Sequence, residues 1–317
     1  MTDKHLDKHR SQSCPIISIG MPVFNCATTV AYAICSILNQ TFKDWELLIV
    51  DDGSTDNTME IAALFDDPRI ILIRGGVNKR LPTRLNECVS RARGRYFARM
   101  DGDDIAYPGR LECQLEFLQS HPDVDIAGGC MVVFRDEGTA FGTRRSPLNH
   151  AQICASPWRN IPMAHPTWMG KVEWFRRYQY LTVAAAEDQE LLFRAYQNSQ
   201  FANVPKIVLG YRENRLSLEY ILFQRRHICK RIILNAGQQR RYMRGALGVI
   251  SQIAKAVIDI IAICTGLNYY ILRHRSPPIL AEEKIEWNSV WQQVGITYNL
   301  LLTGQKPIFN ISQSSSV

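Results

Sequence analysis

The first hundred residues alternate short apolar runs with stretches in which apolar residues recur at helical spacing. This alternation is typical of β-α-β units around a parallel sheet. The chain continues with a predicted helix over Pro108–Gln119, a strand over Asp125–Phe134 and a helix that begins near Glu187. In the first hundred residues the predicted strands are Ile16–Met21, Trp45–Val50, Ile70–Ile73 and Tyr96–Met100, and the predicted helices are Thr28–Leu38, Asn57–Phe65 and Pro82–Arg93.

The apolar stretch Gly245–Leu272 is the longest in the chain and raises the question of a membrane span. A span needs about 20 predominantly apolar residues. Gln252, Lys255 and Asp259 interrupt the stretch well before that length is reached. The pattern therefore predicts an amphipathic or buried helix.

Polar side chains follow the predicted strands at the points where the strands end. Asn25 follows the first strand, Asp51 and Asp52 the second, and Asp101 and Asp103 the fourth. In open α/β sheets, ligands bind outside the carboxyl ends of the strands. We therefore expect these side chains to converge on one ligand site.

Three carboxylates, Asp101, Asp103 and Asp104, lie within four residues of one another after the fourth strand. Their mutual repulsion is unfavourable unless a cation lies among them. Mg2+ and Mn2+ prefer oxygen ligands and combine one or two carboxylates with substrate phosphates. The cluster therefore predicts a divalent metal site, and the alternative is a solvated acidic turn.

The chain of 317 residues is long enough for one large domain with an appendage, or for two domains. Its nine cysteines are odd in number, scattered and never in C-x-x-C spacing, so neither a zinc site nor a disulfide framework is indicated, which favours a reducing cytoplasm. Residues 1–14 are too polar for a signal peptide or membrane anchor and are predicted to be a disordered lead-in. Residues 310–317 are predicted to be a disordered tail.

Positive charge is concentrated in one part of the chain. The net charge is +7, and residues 205–275 contain 13 lysines and arginines against three acidic residues. Such a block indicates a polyanionic partner, which could be a membrane surface, a nucleic acid or a diphosphate substrate. The alternative is a solvated helix face.

Several motifs, in this order along the chain, resemble those of the family 2 glycosyltransferases. They are the segment from Ile17 to Thr58 with its VDDGSTD motif, the segment from Asn78 to Asp104 ending in MDGDD, the following YPGRLECQ, the mid-chain HPT and the acidic pair Glu187 and Asp188. The resemblance implies the GT-A fold, a Rossmann-like mixed α/β sheet flanked by helices, over residues 15–215. A helical, basic C-terminal region would then cover residues 216–309.

The resemblance also implies a nucleotide site. It places Pro22, Val23 and Asn25 in the loop that approaches the base and ribose of a nucleotide-sugar donor. Asp52 is implied as the acceptor of the uracil N3 hydrogen, a contact that discriminates against bases without that N–H. Arg80 matches a position near the nucleotide, and its alternative is an exposed arginine at a helix start.

For the metal and the diphosphate, the resemblance implies that Asp101 faces the ribose or the metal and that Asp103 binds Mg2+ or Mn2+ directly. Asp104 is expected to be structural. His165 is a further candidate for contact with the diphosphate or metal, although a lone histidine is more often a hydrogen-bonded structural residue.

Asp188 matches the family's general base, which removes the acceptor hydroxyl's proton during inverting transfer. We expect the dipole of its helix to keep Asp188 ionised. Adjacent helical residues point about 100° apart, so we expect only one of Glu187 and Asp188 to face the cleft. The alternative is that one of these acids caps the helix.

The implied function is an inverting, metal-dependent glycosyltransferase that moves one sugar from a nucleotide-diphosphate donor, UDP-linked, to a saccharide or lipid-linked saccharide in surface polysaccharide synthesis. A Q-x-x-R-W motif, which processive synthases carry, is absent after the base. The implied location is the cytoplasm, peripheral at the inner face of the membrane through the basic region, with no nucleic-acid partner. The alternatives are a nucleotidyltransferase, whose glycine-rich phosphate loop is missing here, and a non-enzymatic polyanion-binding protein using residues 205–275.

Overall fold

The structure is a computed structural model that describes residues 14–183, 185–213, 218–238, 240–265 and 276–303. The predicted disordered tail and all of the predicted lead-in except Cys14 lie outside the described residues.

The described strands form one mixed sheet of nine strands, in the order β3-β2-β1-β4-β8-β6-β9-β5, with β7 paired to β6. β1 to β4 are mutually parallel, and β8 runs antiparallel to both β4 and β6. The four strands predicted in the first hundred residues are confirmed. The strands are β1 Ile17–Val23, β2 Trp45–Asp51, β3 Ile70–Ile73, β4 Tyr96–Arg99, β5 Ile105–Ala106, β6 Ile126–Phe134, β7 Ala140–Arg144, β8 Met169–Lys171 and β9 Phe201–Arg212.

Helices cover both faces of this sheet, and the five helices predicted up to residue 195 are all present, with ends that differ by a few residues. The described helices are α1 Val30–Leu38, α2 Thr58–Ala62, α3 Arg80–Arg91, α4 Arg110–Ser120, α5 His150–Ile153, α6 Val172–Arg177, α7 Glu187–Ala195, α8 Leu218–Gln238, α9 Tyr242–Cys264 and α10 Ala281–Leu302. A short 3-10 turn, His165–Thr167, carries the HPT motif.

Strand β1 shows how the sheet divides the core into two halves. Ile17, Ile19 and Met21 point into the half that contains α1 and α4. The other face of β1 approaches α3 closely: a Cβ added at Gly20 would lie 2.8 Å from the Cβ of Cys88 on α3 and 2.4 Å from the ring of Phe97 on β4. Glycine at this position lets β1 lie in the centre of the sheet, which sets the carboxyl end of β1 beside that of β4.

Helix α10 belongs to the first half of the core. Trp287 is fully buried, donates its indole N–H to the carbonyl oxygen of Gly138 at 2.7 Å and packs 4.6 Å from the ring of Phe134. Trp291 of α10 stacks on Tyr32 of α1 at 5.5 Å. The last described helix therefore completes a layer of the core, while the division of the chain near residue 215 stays a prediction.

Helices α8 and α9 pack against each other as a hairpin. Close approach is possible because Gly245 and Gly248 face the packed side, where a Cβ on Gly245 would lie 2.4 Å from the side chain of Ala236. By length and composition, α9 could cross a membrane, and 22% of its most apolar window is buried in the protein. The helix is amphipathic, but its polar residues Gln252 and Asp259 are buried, together with Gly245, Gly248 and Ala262.

Replacing Trp287 with alanine tests whether α10 is part of the core. Trp287→Ala should lower the free energy of unfolding by about 3–5 kcal/mol, because it leaves a large cavity and an unpaired carbonyl. Urea denaturation measures the change. The matched control on the same helix is Ile285→Ala, which should change the free energy by less than about 0.5 kcal/mol because Ile285 is 71% exposed. Equal effects of the two substitutions would contradict the assignment.

Candidate active site

A cavity of about 570 Å3 opens at the carboxyl ends of β1 and β4. The strand ends, the HPT turn and the start of α7 all contribute to its wall. Of the residues predicted from sequence, those that line the cavity are Pro22, Val23, Asp101, Asp103, His165, Glu187 and Asp188. The structure therefore brings together the predicted metal ligand and the predicted base in one cavity.

The acidic loop after β4 forms one part of the wall. Ligand oxygens of Asp101, Asp103 and Asp104 lie within 4.8 Å of one another. Desolvation, followed by the charge of Asp101, raises the pKa of Asp103 to about 6. Asp104 is buried, its pKa is raised by that burial and by Asp103, and its Oδ1 accepts the backbone N–H of Arg212 at 2.9 Å. The three acids therefore repel one another, and the surrounding protein partly desolvates them, although Asp103 stays open to the cavity.

Arg99, the last residue of β4, forms an ion pair with this cluster, and the sequence motifs did not identify it. Its side chain is 4% exposed, and Nη2 lies 2.6 Å from Oδ1 of Asp101. Its Nε and Nη1 have no hydrogen-bond partner among the described residues. An arginine that ends an otherwise buried strand, two residues before an acid cluster, is the signal that could have identified it.

The acid cluster fits a hard divalent cation. Carboxylate oxygens are the donors that Mg2+ and Mn2+ prefer. Oδ2 of Asp104 is buried without a hydrogen-bond partner in the described part of the chain. Asp103 is exposed at the cavity, so its carboxylate is open to an ion there.

The first turn of α7 contributes Glu187 and Asp188 to the cavity wall. Both residues line the cavity, so the expectation that only one of them faces the cleft is wrong. Both residues lie in the first turn of α7, and this end of the helix borders the cavity, so two side chains about 100° apart both reach its wall.

Burial sets the protonation of this pair. It raises the pKa of Glu187, with a further increase from Asp188, and it also raises the pKa of Asp188. Backbone N–H groups at the start of α7 and the guanidinium of Arg99 lower the pKa of Asp188. The helix start does favour the carboxylate, as the sequence predicted, but burial is the larger influence.

His165 is buried against this wall. Its Nε2 lies 2.8 Å from the hydroxyl of Tyr180, and its Nδ1 lies 3.8 Å from Oε1 of Glu187. Burial and the charge of Arg99 lower the pKa of His165 well below its usual value. The ring is therefore neutral at pH 7, and its contact with Glu187 is not an ion pair.

Three residues predicted for the nucleotide do not line the cavity. Asp52 is buried, and its carboxylate accepts the backbone N–H groups of Lys79 and Arg80 and the Nε–H of Arg84, at 2.7, 3.0 and 2.8 Å. Arg80 has a positive φ of 69° and an exposed side chain. The Oδ1 of Asn25 accepts the N–H of Thr55 at 2.8 Å. These residues shape the loops behind the cavity, and their contact with a nucleotide stays a prediction.

Residues outside the recognised motifs also line the cavity. Gln224 comes from α8, and Arg144 and Tyr211 come from β7 and β9. Arg144 pairs with Glu213 at 2.5 Å, and its guanidinium lies 5.2 Å from the centre of the Tyr211 ring. No local sequence pattern identifies Arg144 and Tyr211, because the long-range pairing of β6, β7 and β9 brings them to the site. Gln224 reaches it from α8.

Comparison with known proteins identifies the family. The model of glycosyl transferase family 2 matches residues 18–179, about half of the chain. EpsE of Bacillus subtilis, which is named as a glycosyltransferase, is 40% identical over 193 residues, covering 58% of this chain and 68% of EpsE. This chain therefore belongs to glycosyl transferase family 2 and is a glycosyltransferase. That membership supports neither the nucleotidyltransferase nor the non-enzymatic alternative.

Two further proteins are similar over different parts of the chain. The UDP-Glc:alpha-D-GlcNAc-diphosphoundecaprenol beta-1,3-glucosyltransferase WfgD of Escherichia coli is 38% identical over 103 residues, covering 32% of this chain and 41% of WfgD. The mannosyltransferase PcManGT from Pyrobaculum calidifontis, solved with GDP-Man and Mn2+, matches with a TM-score of 0.55 and 14% identity, covering 93% of this chain and 89% of that chain. The similarity to PcManGT shows the fold, which is the GT-A fold predicted from sequence.

Arg99→Gln tests the electrostatic balance of the site. Near pH 8 it should lower the free energy of unfolding by about 3–5 kcal/mol, because Asp101 then lies without its cation among other acids. The pKa of Asp103 is about 6 in the folded chain and 3.8 in an unfolded one, so the folded state favours its neutral form. The decrease in the free energy of unfolding caused by Arg99→Gln should therefore become smaller as pH falls through about 6, because protonation of Asp103 removes its repulsion of Asp101.

Urea unfolding of the wild type and of Arg99→Gln, near pH 8 and again below pH 6, measures how the loss of unfolding free energy depends on pH. The control is Arg176→Gln, which removes an exposed pair with Glu173 and should change the free energy by less than about 1 kcal/mol at either pH. A loss for Arg99→Gln that is independent of pH would show that Arg99 does not balance the acids.

Proposed function

We propose that this chain is an inverting, metal-dependent glycosyltransferase that moves a single sugar from a UDP-linked donor to a saccharide or lipid-linked saccharide. The observation that carries the proposal is the joining of two acid groups in one cavity. Asp101 and Asp103 come from the end of β4, and Glu187 and Asp188 come from the start of α7. Inverting transfer requires these two elements, a cation site for the diphosphate and a separate carboxylate for the acceptor.

Pro22 and Val23 supply the cavity wall on the nucleotide side, and Asn25, Asp52 and Arg80 are proposed to complete it. The carboxylate of Asp52 already accepts three hydrogen bonds from the segment that contains Lys79, Arg80 and Arg84. A bond from uracil N3–H to Asp52 therefore requires that this segment shift or share an oxygen. The donor base is proposed as uracil on the resemblance of the VDDGSTD motif, and WfgD is a relative named for a UDP-linked donor.

Asp103 would hold Mg2+ or Mn2+, with Asp101 beside it. The ion supplies positive charge to the diphosphate that leaves the sugar. Within the chain, Arg99 holds Asp101 in place at 2.6 Å, which orients its carboxylate toward the cluster. PcManGT is a protein of the same fold that was solved with Mn2+.

Asp188 is proposed as the base. The acceptor hydroxyl oxygen attacks C1 of the donor sugar and transfers its proton to the carboxylate of Asp188, while the bond between C1 and the diphosphate oxygen breaks. Because attack and departure occur on opposite faces of C1, the configuration inverts. A carboxylate whose pKa is raised by burial is a stronger base than a solvated one, which suits this role.

The acceptor is proposed to be a lipid-linked saccharide used in bacterial surface polysaccharide synthesis. WfgD, which is named for a diphosphoundecaprenol-linked acceptor, is the relative that supports this proposal. Such an acceptor places the enzyme at the inner face of the cell membrane, on the cytoplasmic side. The basic region between residues 205 and 275 suits an anionic membrane surface.

The proposed donor and metal are tested together by thermal unfolding with a panel of nucleotide sugars. UDP-sugars should raise the melting temperature with Mn2+ present and lose this effect in EDTA. Asp103→Asn should abolish both stabilisation and transfer, because it removes the direct metal ligand. The stabilisation should also weaken as pH falls through about 6, because protons then compete with the ion for Asp103.

The matched control for Asp103→Asn is Asp136→Asn, an exposed acid that pairs with Arg212 and does not line the cavity. It should keep the metal-dependent stabilisation. Full turnover in EDTA, or equal stabilisation by every nucleotide sugar regardless of its base, would contradict the assignment.

Asp188→Asn tests the base. It should lower the transfer rate by roughly 10²- to 10⁴-fold, because asparagine cannot accept the proton. Affinity for UDP should change little, since the proposed nucleotide and metal residues lie on other elements. Single-turnover transfer and calorimetric UDP binding separate the two effects.

Glu187→Gln is the control for the adjacent acid and should be much milder. An inactive Glu187→Gln together with a nearly normal Asp188→Asn would assign the base to Glu187 instead. If both variants lose UDP binding and melt at a lower temperature, the pair stabilises the helix start and the base lies elsewhere.

A further inference from the structure

Helix α9 presents a continuous apolar face to the outside of the protein. Between positions 247 and 261, every residue of α9 with an exposed side chain is apolar. Most of these side chains are more than half exposed, including Leu247 at 62%, Ile250 at 60% and Ile258 at 59%. Soluble monomers rarely expose contiguous apolar patches beyond roughly 300–600 Å2, and larger patches mark interaction sites. The full set of exposed residues is Leu247, Ile250, Ile253, Ala254, Val257, Ile258, Ile260 and Ile261.

The polar side of α9 is turned toward the protein. Oδ2 of Asp259 lies 2.9 Å from Nε of Arg225 on α8. The Nε2–H of Gln252 donates to the carbonyl oxygen of Arg159 at 2.9 Å, which ties α9 to the catalytic body. These bonds give Gln252 and Asp259 partners within the protein and hold one side of α9 against it, so the helix suits a position on a bilayer surface better than one across it.

Exposed basic residues lie at the start of α9 and on α8, the helix packed against it. Arg240, Arg241 and Arg244 are exposed at the start of α9, where the helix dipole disfavours positive charge. Arg226 and Lys230 are exposed on α8. Among the described residues of the two helices, the exposed acidic residue is Glu219. Cations retained at an unfavourable helix end, beside a wide apolar face, are the features of a helix that lies in the interface of an anionic bilayer.

We infer that the hairpin of α8 and α9 docks on a bilayer of anionic phospholipid, with α9 lying in the plane of the interface and its apolar face inserted among the acyl chains. A helix of 23 residues is about 35 Å long, and interfacial helices bury their apolar face about 5–10 Å deep. Insertion of the apolar face adds to the free energy of membrane binding a contribution that salt does not screen, which adsorption through positive charge alone lacks. Docking needs neither donor nor acceptor, so it does not depend on the proposed transfer reaction.

The same hairpin contacts the active site. Nη2 of Arg231 on α8 lies 2.6 Å from Oε1 of Glu190, two residues after the proposed base on α7. Gln224 of α8 lines the catalytic cavity. Docking through this hairpin would therefore hold the cavity close to the lipid surface, which suits an acceptor carried in the membrane.

Sedimentation of the full-length protein with phospholipid vesicles tests the inference, without donor, metal or acceptor present. Vesicles of equal parts phosphatidylglycerol and phosphatidylcholine should bind the protein at low salt and retain a substantial part of it near 1 M salt, where charge is screened within about 3 Å. Vesicles of phosphatidylcholine alone should bind it more weakly. Ile250→Asn combined with Ile258→Asn should lower the apparent affinity at least about tenfold at both salt concentrations.

Two control variants accompany this pair. Ile285→Asn combined with Ile296→Asn makes the same chemical change at exposed positions of α10, and it should leave vesicle binding unchanged. Arg226→Gln combined with Lys230→Gln should weaken binding at low salt but not near 1 M salt.

Amide hydrogen exchange on the unmodified protein provides a second measurement that does not depend on the folding of any variant. Peptides covering positions 242–264 should exchange more slowly when anionic vesicles are added. The inference is overturned if wild-type protein binds no vesicles, if binding disappears entirely at high salt, or if the α10 variant loses as much binding as the α9 variant. It is also overturned if the α9 face proves to join two copies, seen as a dimer that the α9 variant dissociates and that anionic vesicles leave intact.

Discussion

The close approach of several carboxylates to the buried guanidinium of Arg99 is the constraint on which the site depends. Asp101 bonds directly to Arg99, and the charge of Arg99 also lowers the pKa of Asp103, Asp104 and Asp188. The charge of Arg212 also lowers the pKa of Asp103, but the two arginines do not balance this many acids, and burial leaves the pKa of Asp103, Asp104 and Asp188 raised. The remaining imbalance is what gives the cavity its affinity for a further cation, because such an ion relieves repulsion that the folded chain cannot relieve alone.

The fold holds this unfavourable arrangement in place through the helix that follows it. Arg110 on α4 is buried and donates from Nη2 to the carbonyl oxygens of Arg99 and Pro166, at 2.6 and 3.0 Å. Gln114, one turn later, donates to the carbonyl oxygens of Thr167 and Ala127. The end of β4 is thus tied to the HPT turn by side chains of the YPGRLECQ motif. These bonds supply the stability that the acid cluster lacks, which explains why polar residues lie in the core beside it.

The part of the fold that sequence predicted is the part determined by local pattern. β1 to β4 are short apolar runs between polar turns, and the acids at their ends lie at one edge because the strands are parallel. Sequence failed where distant segments decide the outcome. The indole of Trp287 closes the core against Gly210, where a Cβ would lie only 2.2 Å from the ring, and nothing in the local pattern of α10 identifies that contact.

Within the site, the same distinction separates the correct predictions from the errors. Asp103 and Asp188 could be placed at the cavity because each ends or begins an element that the pattern reveals. Glu187, a secondary candidate, also lines the cavity, and the expectation that only one acid of the pair faces the cleft failed because the end of α7 borders the cavity, which the local pattern does not reveal. The engagement of Asp52 with Arg84 was not predicted because it requires α3 to lie across the end of β2, which is a tertiary fact.

Helix α7 links the chemistry to the outer surface of the molecule. Its first turn carries Asp188 into the cavity, and Glu190 in the same turn of helix bonds to Arg231 of α8 and to Arg194. Glu190 is buried, so these bonds are shielded from solvent and from salt more than surface pairs are. The ion pair between Arg231 and Glu190 therefore couples the position of α8 to that of the helix that carries the proposed base. Whatever surface holds the α8 and α9 hairpin therefore also sets the distance at which an acceptor hydroxyl must present itself to Asp188.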